Sequence, residues 1–261
     1  MRDDHPAFLA EEILQATGGV LLQGGTSWEC RGVSTDTRTL SPGNLFIALP
    51  GENFDGHDYL AAAAERGAAG LLVQAERVAG FPHPPELPVI GVPDTVAALG
   101  AIAHAWRQRF PIPVVAITGS SGKTTTKELL AAITSRSRRV LKTAGNLNNL
   151  IGLPLTLLGL RAGHELAILE LGTNCPGEIG RLAAVAAPDV GVITNIGPVH
   201  LEGLGSLAGV REEKGGLFRA MGDKGWAVLN WDDASITLLA ERWQGKRITF
   251  GIRPDADLSA R

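Results

Sequence analysis

Apolar runs alternate with amphipathic stretches from Pro113 to the C-terminus of the chain. The runs are short and rich in β-branched residues, as expected for strands buried on both faces of a parallel sheet. The predicted strands are PVVAIT, LAILELG, VGVITNI, GWAVLN and RITFG, and the predicted helices are KTTTKELLAAITSR, GEIGRLAAVAA, SLAGVREEKGGLFRAM and DDASITLLAERW. This alternation predicts βαβ units and a doubly wound, mostly parallel α/β sheet.

The first part of the chain has short elements separated by turn residues, as in LSPGNLFIALPGENFDGHDYL. A proline-rich stretch, VAGFPHPPELP, predicts a loop or linker. A helix is predicted next, with Asp94 as its N-cap and Pro111 as its end. Its apolar positions share one face at helical spacing; they are Val96, Leu99, Ile102, Ala103 and Trp106. We therefore predict a small N-terminal α/β domain at residues 1–92 and a second domain at residues 93–261.

The composition is typical of a globular protein and argues against binding to nucleic acid and against insertion into a membrane. Hydrophobic residues make up 44% of the chain, and its formal net charge of -3 is not the basic balance of a nucleic-acid-binding protein. The most apolar long stretch, LPVIGVPDTVAALGAIAHAW, contains Asp94, His104 and two prolines, so it is a poor membrane span. Cys30 and Cys175 are the only cysteines, which is typical of a reducing compartment. We expect a cytoplasmic monomer that neither binds nucleic acid nor inserts into a membrane.

The first predicted strand of the second domain leads into a glycine-rich turn, TGSSGKTTT. Its spacing, G-x-x-G-K-T, is two residues shorter than that of the usual phosphate loop. Small residues still let backbone N–H groups converge in front of a helix N-terminus, which favours phosphate. Lys123 can reach the β- and γ-phosphates of a nucleotide, and the hydroxyl of Thr124 can bind Mg²⁺. A plain glycine turn with an exposed lysine is the alternative, but the order of strand, turn and helix favours a nucleotide site.

Polar residues follow the other predicted strands at the same edge of the sheet, where ligands of such sheets bind. Glu170 ends the strand LAILELG, where its carboxylate either binds Mg²⁺ or caps the next helix. His200, in GPVHLEG, is either a ligand or a structural histidine. Spacing alone predicts that Lys214, in REEKGGLF, is a solvated helix lysine paired with Glu212 or Glu213.

An asparagine-rich segment, TAGNLNNLIGLPLTLL, lies between two of these elements. Asparagine tolerates left-handed turns, so Asn146, Asn148 and Asn149 are typical of a loop. The alternative is that their amides reach a phosphate or an acyl group beside the glycine-rich turn.

Together these motifs resemble the Mur ligases of bacterial cell-wall synthesis. The resemblance rests on TGSSGKTTT, NLNNLIGLPLT, ELGTNCPGEI, PDVGVITNIGPVHLEGLGS and EEKGGLF. In the first half, STDTR and PGNLFIALPGENFDGHDYLAAAAERGA are similar to the UDP-binding N-terminal domain of that family. Within the family, ELGTNCPGEIG is similar to the branch that adds D-alanyl-D-alanine. The chain departs from the family at Thr173, where methionine is frequent, and at Gly216, where an acidic residue is frequent.

The resemblance implies ATP and Mg²⁺ as cofactors and gives roles to individual residues. Thr124 and Glu170 would bind one Mg²⁺, and His200 would help to bind a second. Lys214 would be carbamylated and would present a carboxylate-like group to the metal. The phosphate cradle would consist of Gly119, Ser120, Ser121, Gly122, Lys123, Thr124 and Thr125, with Asn146 and Asn149 beside it. The UDP-sugar end of the substrate would contact Ser34, Thr35, Asp36, Arg38, Asn53, Asp55, Gly56 and His57.

The implied activity is amide ligation in peptidoglycan synthesis. ATP would phosphorylate the terminal carboxylate of UDP-N-acetylmuramoyl-tripeptide, and D-alanyl-D-alanine would displace phosphate from the acyl phosphate. The family has a third, Rossmann-like domain, whereas this chain stops at GIRPDADLSAR. We therefore expect an incomplete central ATP-binding domain, no third domain, and little turnover by this chain alone. The alternatives are another Mur-type or a folylpolyglutamate-type ligase, and a non-catalytic nucleotide-binding module.

Overall fold

A computed structural model of the protein describes residues 6–51, 54–77 and 86–259. The chain divides into two compact units, Met1–Arg109 and Phe110–Arg261. Within the described ranges, no helix is both long enough and apolar enough to cross a bilayer.

The first unit contains short strands and three α-helices among its described residues. In chain order they are β1 (Ala7–Leu9), α1 (Ala10–Thr17), β2 (Val20–Gln23), β3 (Glu29–Arg31), β4 (Val33–Ser34), β5 (Leu45–Ile47), α2 (Leu60–Glu65), β6 (Gly70–Gln74), β7 (Val89–Val92) and α3 (Thr95–Arg107). Five strands form one sheet in the order β2-β7-β6-β5-β4. Its pairs are parallel except for β2 with β7, and β1 pairs with β3 in a separate antiparallel ribbon. The core of this unit lies between the sheet and α2, where Phe46, Leu60 and Leu71 are buried.

The helix predicted after Asp94 is present as α3, and the predicted cap is confirmed. The carboxylate of Asp94 accepts hydrogen bonds from the backbone N–H groups of Val96 and Ala97. Leu99, Ile102 and Ala103 are buried, as the helical spacing predicts. The helix contacts α1 and β6, so the compact unit ends after Arg109, later than the predicted boundary near residue 92. The proline-rich linker lies largely outside the described residues.

The second unit alternates strands and helices, as the hydrophobic pattern predicts. Its elements are β8 (Val114–Thr118), α4 (Lys123–Thr134), β9 (Val140–Lys142), α5 (Gly152–Leu157), β10 (Leu166–Glu170), α6 (Glu178–Ala186), β11 (Val190–Ile193), α7 (Leu201–Leu204), α8 (Leu207–Met221), β12 (Trp226–Asn230), α9 (Ala234–Ala240), β13 (Lys246–Gly251) and β14 (Leu258–Ser259). Sequence reasoning missed β9, α5, α7 and β14, because each is too short to show a period of its own.

The strands of the second unit form one seven-stranded sheet, β14-β13-β12-β11-β8-β10-β9, in which every pair is parallel. After β8 the chain adds strands on one side, and from β11 onwards it adds them on the other. The carboxyl end of β8 is therefore the topological switch point, where ligands of doubly wound sheets bind. The predicted fold class, a small α/β domain followed by a doubly wound parallel sheet, is confirmed.

The Asp94 cap supports a measurable prediction about the stability of the first unit. Asp94→Ala leaves two N–H groups of α3 without their acceptor, and the loss of such a cap costs about 1 kcal/mol. We expect the free energy of unfolding, measured by urea titration, to fall by that amount. Asp94→Ser retains a capping oxygen and should recover most of the loss; equal stability of wild type and Asp94→Ala would contradict the role of the cap.

Candidate functional site

The glycine-rich turn joins β8 to α4 at the switch point of the sheet. Gly122 adopts a left-handed φ of 78°, which glycine favours, and Lys123 begins the helix. The first i→i−4 bond of α4 runs from Thr126 N to Gly122 O, so the N–H groups before Thr126 have no acceptor in the helix. The ammonium group of Lys123 donates to the carbonyl of Gly119 at 2.8 Å, which folds the side chain back over the loop. The turn therefore combines backbone donors with a cation, as a phosphate site requires.

A pocket of about 600 Å³ opens beside the start of α4 at the carboxyl edge of the sheet. It is lined by Gly122, Lys123, Thr124, Thr125, Asn146, Asn148, Asn149, Glu170, Gly172, Thr173, Asn174, Glu178 and His200. Most of the predicted site residues of this unit thus share one pocket. Of the predicted set, Gly119, Ser120, Ser121 and Lys214 are not in the lining.

Glu170 is the polar centre of this pocket. It is only 3% exposed, so its carboxylate needs partners within the protein. Oε2 accepts a hydrogen bond from the hydroxyl of Thr124 at 3.0 Å, and Oε1 accepts one from the amide of Asn148 at 2.9 Å. The alternative that Glu170 caps the following helix is wrong, because N–H groups at the start of that helix donate to Glu213.

Lys127, which sequence reasoning missed, lies one turn along α4 from Lys123. It is 1% exposed and donates to the carbonyl of Thr143 at 2.9 Å. Its ammonium group is also 3.7 Å from Glu170 Oε2 and 3.2 Å from Glu128 Oε1. Lys127 is therefore a buried counter-charge for Glu170. The signal in the sequence was a lysine on the side of α4 that also carries Lys123, at a spacing of four residues.

The asparagine segment forms a loop before α5, as its composition predicts, and contact of its amides with a phosphate or an acyl group stays a prediction. Asn149 has a local role, since its Oδ1 accepts from the N–H groups of Ile151 and Gly152 at the start of α5. Asn148 binds Glu170, and Asn146 is exposed and lines the pocket. Asn148 was absent from the predicted cofactor-binding residues, although it is the asparagine that holds the carboxylate.

The donor set around Glu170 fits a magnesium ion. The carboxylate and the hydroxyl of Thr124 place two oxygen ligands at the edge of a pocket that also carries the phosphate loop, and Mg²⁺ prefers oxygen ligands together with nucleotide phosphates. Within the described ranges, no group of three or more His, Cys, Asp or Glu side chains is placed to hold a metal ion. The role of His200 as a ligand of a second ion therefore stays a prediction; the residue lines the pocket in a left-handed conformation, with φ of 52°.

Lys214 lies on α8 and is 2% exposed, so the interpretation of it as a solvated helix lysine is wrong. Burial lowers the pKa of its ammonium group to about 8, and repulsion from the charge of Lys123 is the second cause of the shift. The neighbouring Glu212 instead pairs with Arg219 on the exposed face of the helix. Lys214 is thus a buried amine whose pKa is lowered by burial and by the nearby charge of Lys123.

Two carboxylates bind the segment that leads into α6. Glu213 accepts from the N–H groups of Gly177 and Ile179, at 2.5 and 2.7 Å. Glu178 accepts from the N–H groups of Asn174 and Cys175, and these bonds and the hydroxyl of Thr173 lower its pKa despite partial burial. The hydroxyl of Thr173 lies within 3.2 Å of both carboxylates, a bond that methionine at this position would not make.

In the first unit, the predicted substrate residues form two local clusters. The hydroxyl of Ser34 donates to the carbonyl of Asp36, and Thr35 is half-buried. The guanidinium of Arg38 binds the carboxylate of Asp36 and lowers its pKa to about 2. Arg38 itself is largely exposed, so the cluster presents a fixed ion pair at the surface.

The second cluster is built on His57, which is fully buried. Its Nε2 accepts from the N–H of Gln74 at 2.9 Å, so the proton lies on Nδ1 and points at Asp55 Oδ1, 2.6 Å away. The other oxygen of Asp55 binds Arg77. Gly56 packs so closely that an added Cβ would lie 2.6 Å from the backbone nitrogen of Leu49. Contacts of these residues with a substrate remain a prediction, and Asn53 lies outside the described residues.

Family comparisons account for both units. A model described as the Mur ligase middle domain matches residues 117–261, and one described as the Mur ligase family, catalytic domain, matches residues 29–107. The chain belongs to the Mur ligase family. The resemblance predicted from the motifs is thereby confirmed.

Individual Mur ligases agree with this assignment. UDP-N-acetylmuramoyl-tripeptide--D-alanyl-D-alanine ligase from Synechocystis sp. is 44% identical over 227 residues, which cover 84% of this chain and 48% of that protein. MurF from Acinetobacter baumannii has a TM-score of 0.86 at 35% identity, over 95% of this chain and 54% of that one. MurF ligase from Thermotoga maritima in complex with ADP has a TM-score of 0.77 at 32% identity, over 85% of this chain and 50% of that one. The chain spans about half the length of the relatives it matches.

The lowered pKa of Lys214 predicts reactivity with CO₂, because only a neutral amine forms a carbamate. With a pKa of about 8, roughly a quarter of Lys214 is neutral at about pH 7.5, against roughly one in a thousand for an ordinary lysine. At constant dissolved CO₂, carbamylation should therefore rise with pH through about 8. The intensity of the carbamate resonance, recorded by ¹³C NMR on the protein in ¹³C-labelled bicarbonate, measures it.

Lys214→Met should abolish this resonance, and Lys224→Met, which removes an exposed lysine in the same unit, should keep it. An unchanged signal in Lys214→Met, or its absence from wild type at about pH 9, would contradict the assignment.

Proposed function

We propose that the protein containing this chain is an ATP-dependent ligase that joins D-alanyl-D-alanine to UDP-N-acetylmuramoyl-tripeptide in peptidoglycan synthesis. The proposal rests mainly on one observation: the start of α4, with Lys123 and Thr124, lines the same pocket as Glu170. The names of its relatives support the choice of substrates, and the ADP complex of the Thermotoga maritima protein supports an adenine nucleotide.

The residues of the pocket suit the transfer of a phosphoryl group to a carboxylate. Backbone N–H groups at the start of α4 hold the phosphates, and Lys123 leaves the carbonyl of Gly119 to bind the β- and γ-oxygens. Thr124 and Glu170 would hold Mg²⁺, which would supply positive charge to offset that of the transferring group. Such fixed charges act most strongly where charge develops in the transition state.

The proposed reaction has two steps. An oxygen of the tripeptide's terminal carboxylate attacks the γ-phosphorus of ATP, and ADP leaves. The amine of D-alanyl-D-alanine then attacks the acyl carbon, loses its proton, and inorganic phosphate leaves with the electrons of the C–O bond. We assign the UDP end of the substrate to the Asp36–Arg38 and Asp55–His57 clusters of the first unit. We place the reaction in the cytoplasm, which the two unpaired cysteines support.

Nucleotide binding should depend on Lys123. Lys123→Ala removes a charge-assisted hydrogen bond to phosphate, whose loss corresponds to a roughly ten- to hundredfold weaker affinity. Isothermal calorimetry with Mg²⁺ and ADP measures the change, and the melting temperature should hold because Lys123 points into a pocket. Lys224→Ala is the control; equal ADP affinity in Lys123→Ala and wild type would exclude the phosphate-loop assignment.

The product of the complete gene provides the test of substrate choice. With ATP, Mg²⁺ and UDP-N-acetylmuramoyl-tripeptide, phosphate release should require D-alanyl-D-alanine, and mass spectrometry should detect the amide product. Stimulation by glutamate with a folate acceptor instead would show a folylpolyglutamate-type ligase. Nucleotide binding without any product would show a non-catalytic module.

A further inference from the structure

The turn after β11 binds the glycine-rich turn through the side chain of Asn195. Its Oδ1 accepts from the N–H of Ser121 at 2.9 Å. Its Nδ2 donates to the carbonyl and to the hydroxyl oxygen of Ser121, at 3.1 and 3.0 Å. One side chain thus binds all three polar groups of Ser121.

Ser120 is held by the same turn. Its backbone N–H donates to the carbonyl of Asn195 at 3.0 Å. Its hydroxyl donates to the carbonyl of Gly197 and accepts from the N–H of Gly197, at 3.1 and 2.8 Å. Both serines of the glycine-rich turn are therefore bound to residues more than 70 positions later in the chain.

Thr194 adds a steric limit to these bonds. Its hydroxyl donates to the carbonyl of Ser121 at 2.6 Å. The same oxygen lies 1.9 Å from where a Cβ on Gly119 would be. Glycine at position 119 thus allows the two turns to approach, and φ of 153° at this residue is one that other residues rarely adopt.

These bonds divide the N–H groups of the glycine-rich turn into two sets. The N–H groups of Ser120 and Ser121 already donate to Asn195. Those of Lys123, Thr124 and Thr125 precede the first bond of α4 and have no helical acceptor. Gly122 to Thr125 line the pocket, whereas the two serines do not.

We infer that residues 194–197, which we name the clamp, set the shape of the phosphate loop, with Asn195 as a positioning residue, and that the phosphate contacts come from residues 122–125 alone. A glycine-rich loop has many unbound conformations, and ordering it on binding costs conformational entropy. The clamp orders the loop beforehand, which lowers that cost. The part of this inference that concerns phosphate rests on the proposed function.

The first test uses Asn195→Leu, which keeps similar volume and removes the side-chain hydrogen bonds. Amide hydrogen exchange, resolved at Ser121, should accelerate by roughly tenfold, the equivalent of about one lost hydrogen bond. Affinity for ADP with Mg²⁺, measured by calorimetry, should fall by a similar factor. Protection and affinity that both equal those of wild type would overturn the inference.

A matched pair of variants at position 194 provides a second test in case Asn195→Leu does not fold. Thr194→Val is isosteric and removes the hydroxyl, so it should weaken ADP binding, and Thr194→Ser should restore it. Thr237→Val, the same change on α9, should leave both ADP affinity and Ser121 exchange at the wild-type level. Equal ADP affinity in Thr194→Val and Thr194→Ser would count against the clamp.

The two readouts separate the clamp from the proposed function. If wild type fails to bind ADP, the proposed function is contradicted. Exchange at Ser121 still decides the clamp in that case, because it needs no ligand: faster exchange in Asn195→Leu supports the clamp, and unchanged exchange overturns it.

Discussion

The candidate site of the second unit depends on one buried carboxylate, that of Glu170. An isolated ionised carboxylate is very costly to bury, so Glu170 requires hydrogen bonds and a counter-charge. Thr124 and Asn148 provide the hydrogen bonds, and Lys127 lies 3.7 Å away as the cation. The backbone N–H of Glu170 donates to the hydroxyl of Thr143 at 2.9 Å, and the carbonyl of Thr143 accepts from Lys127. The carboxylate therefore connects the end of β10 to α4 and to the segment that follows β9.

The parallel sheet makes this convergence possible. Because every strand of the second unit runs in the same direction, the segments after β8, β10 and β11 all leave at one edge. The glycine-rich turn lies at the switch point, with Glu170 on one side of it and the clamp, residues 194–197, on the other. The carboxylate holds the pocket side of the loop, and the clamp holds its opposite side, so the nucleotide of the proposed function would meet a preformed surface.

The local part of this arrangement could be predicted from the sequence. The Asp94 cap, the glycine-rich turn between a strand and a helix, and Glu170 at the end of a strand follow from short local patterns, and the βαβ alternation follows from the repeat of strand and helix patterns along the second unit. Asn195 and Lys127 could not be predicted in this way. The partners of Asn195 lie 74 positions away, and Lys127 meets Thr143 16 positions later. Nor could spacing predict the burial of Lys214, which lies on α8, a helix that packs on α6 and on the sheet.

The central claim is that Glu170 and the phosphate loop together bind a nucleotide with its magnesium ion. Calorimetry of ADP, with and without Mg²⁺, on wild type and Glu170→Gln tests it most directly. Glu165→Gln, just before the same strand, is the matched control. The account predicts that Mg²⁺ tightens ADP binding to wild type and to the control, and that Glu170→Gln loses this gain without weaker binding of metal-free ADP. An undiminished Mg²⁺ effect in Glu170→Gln would contradict the account.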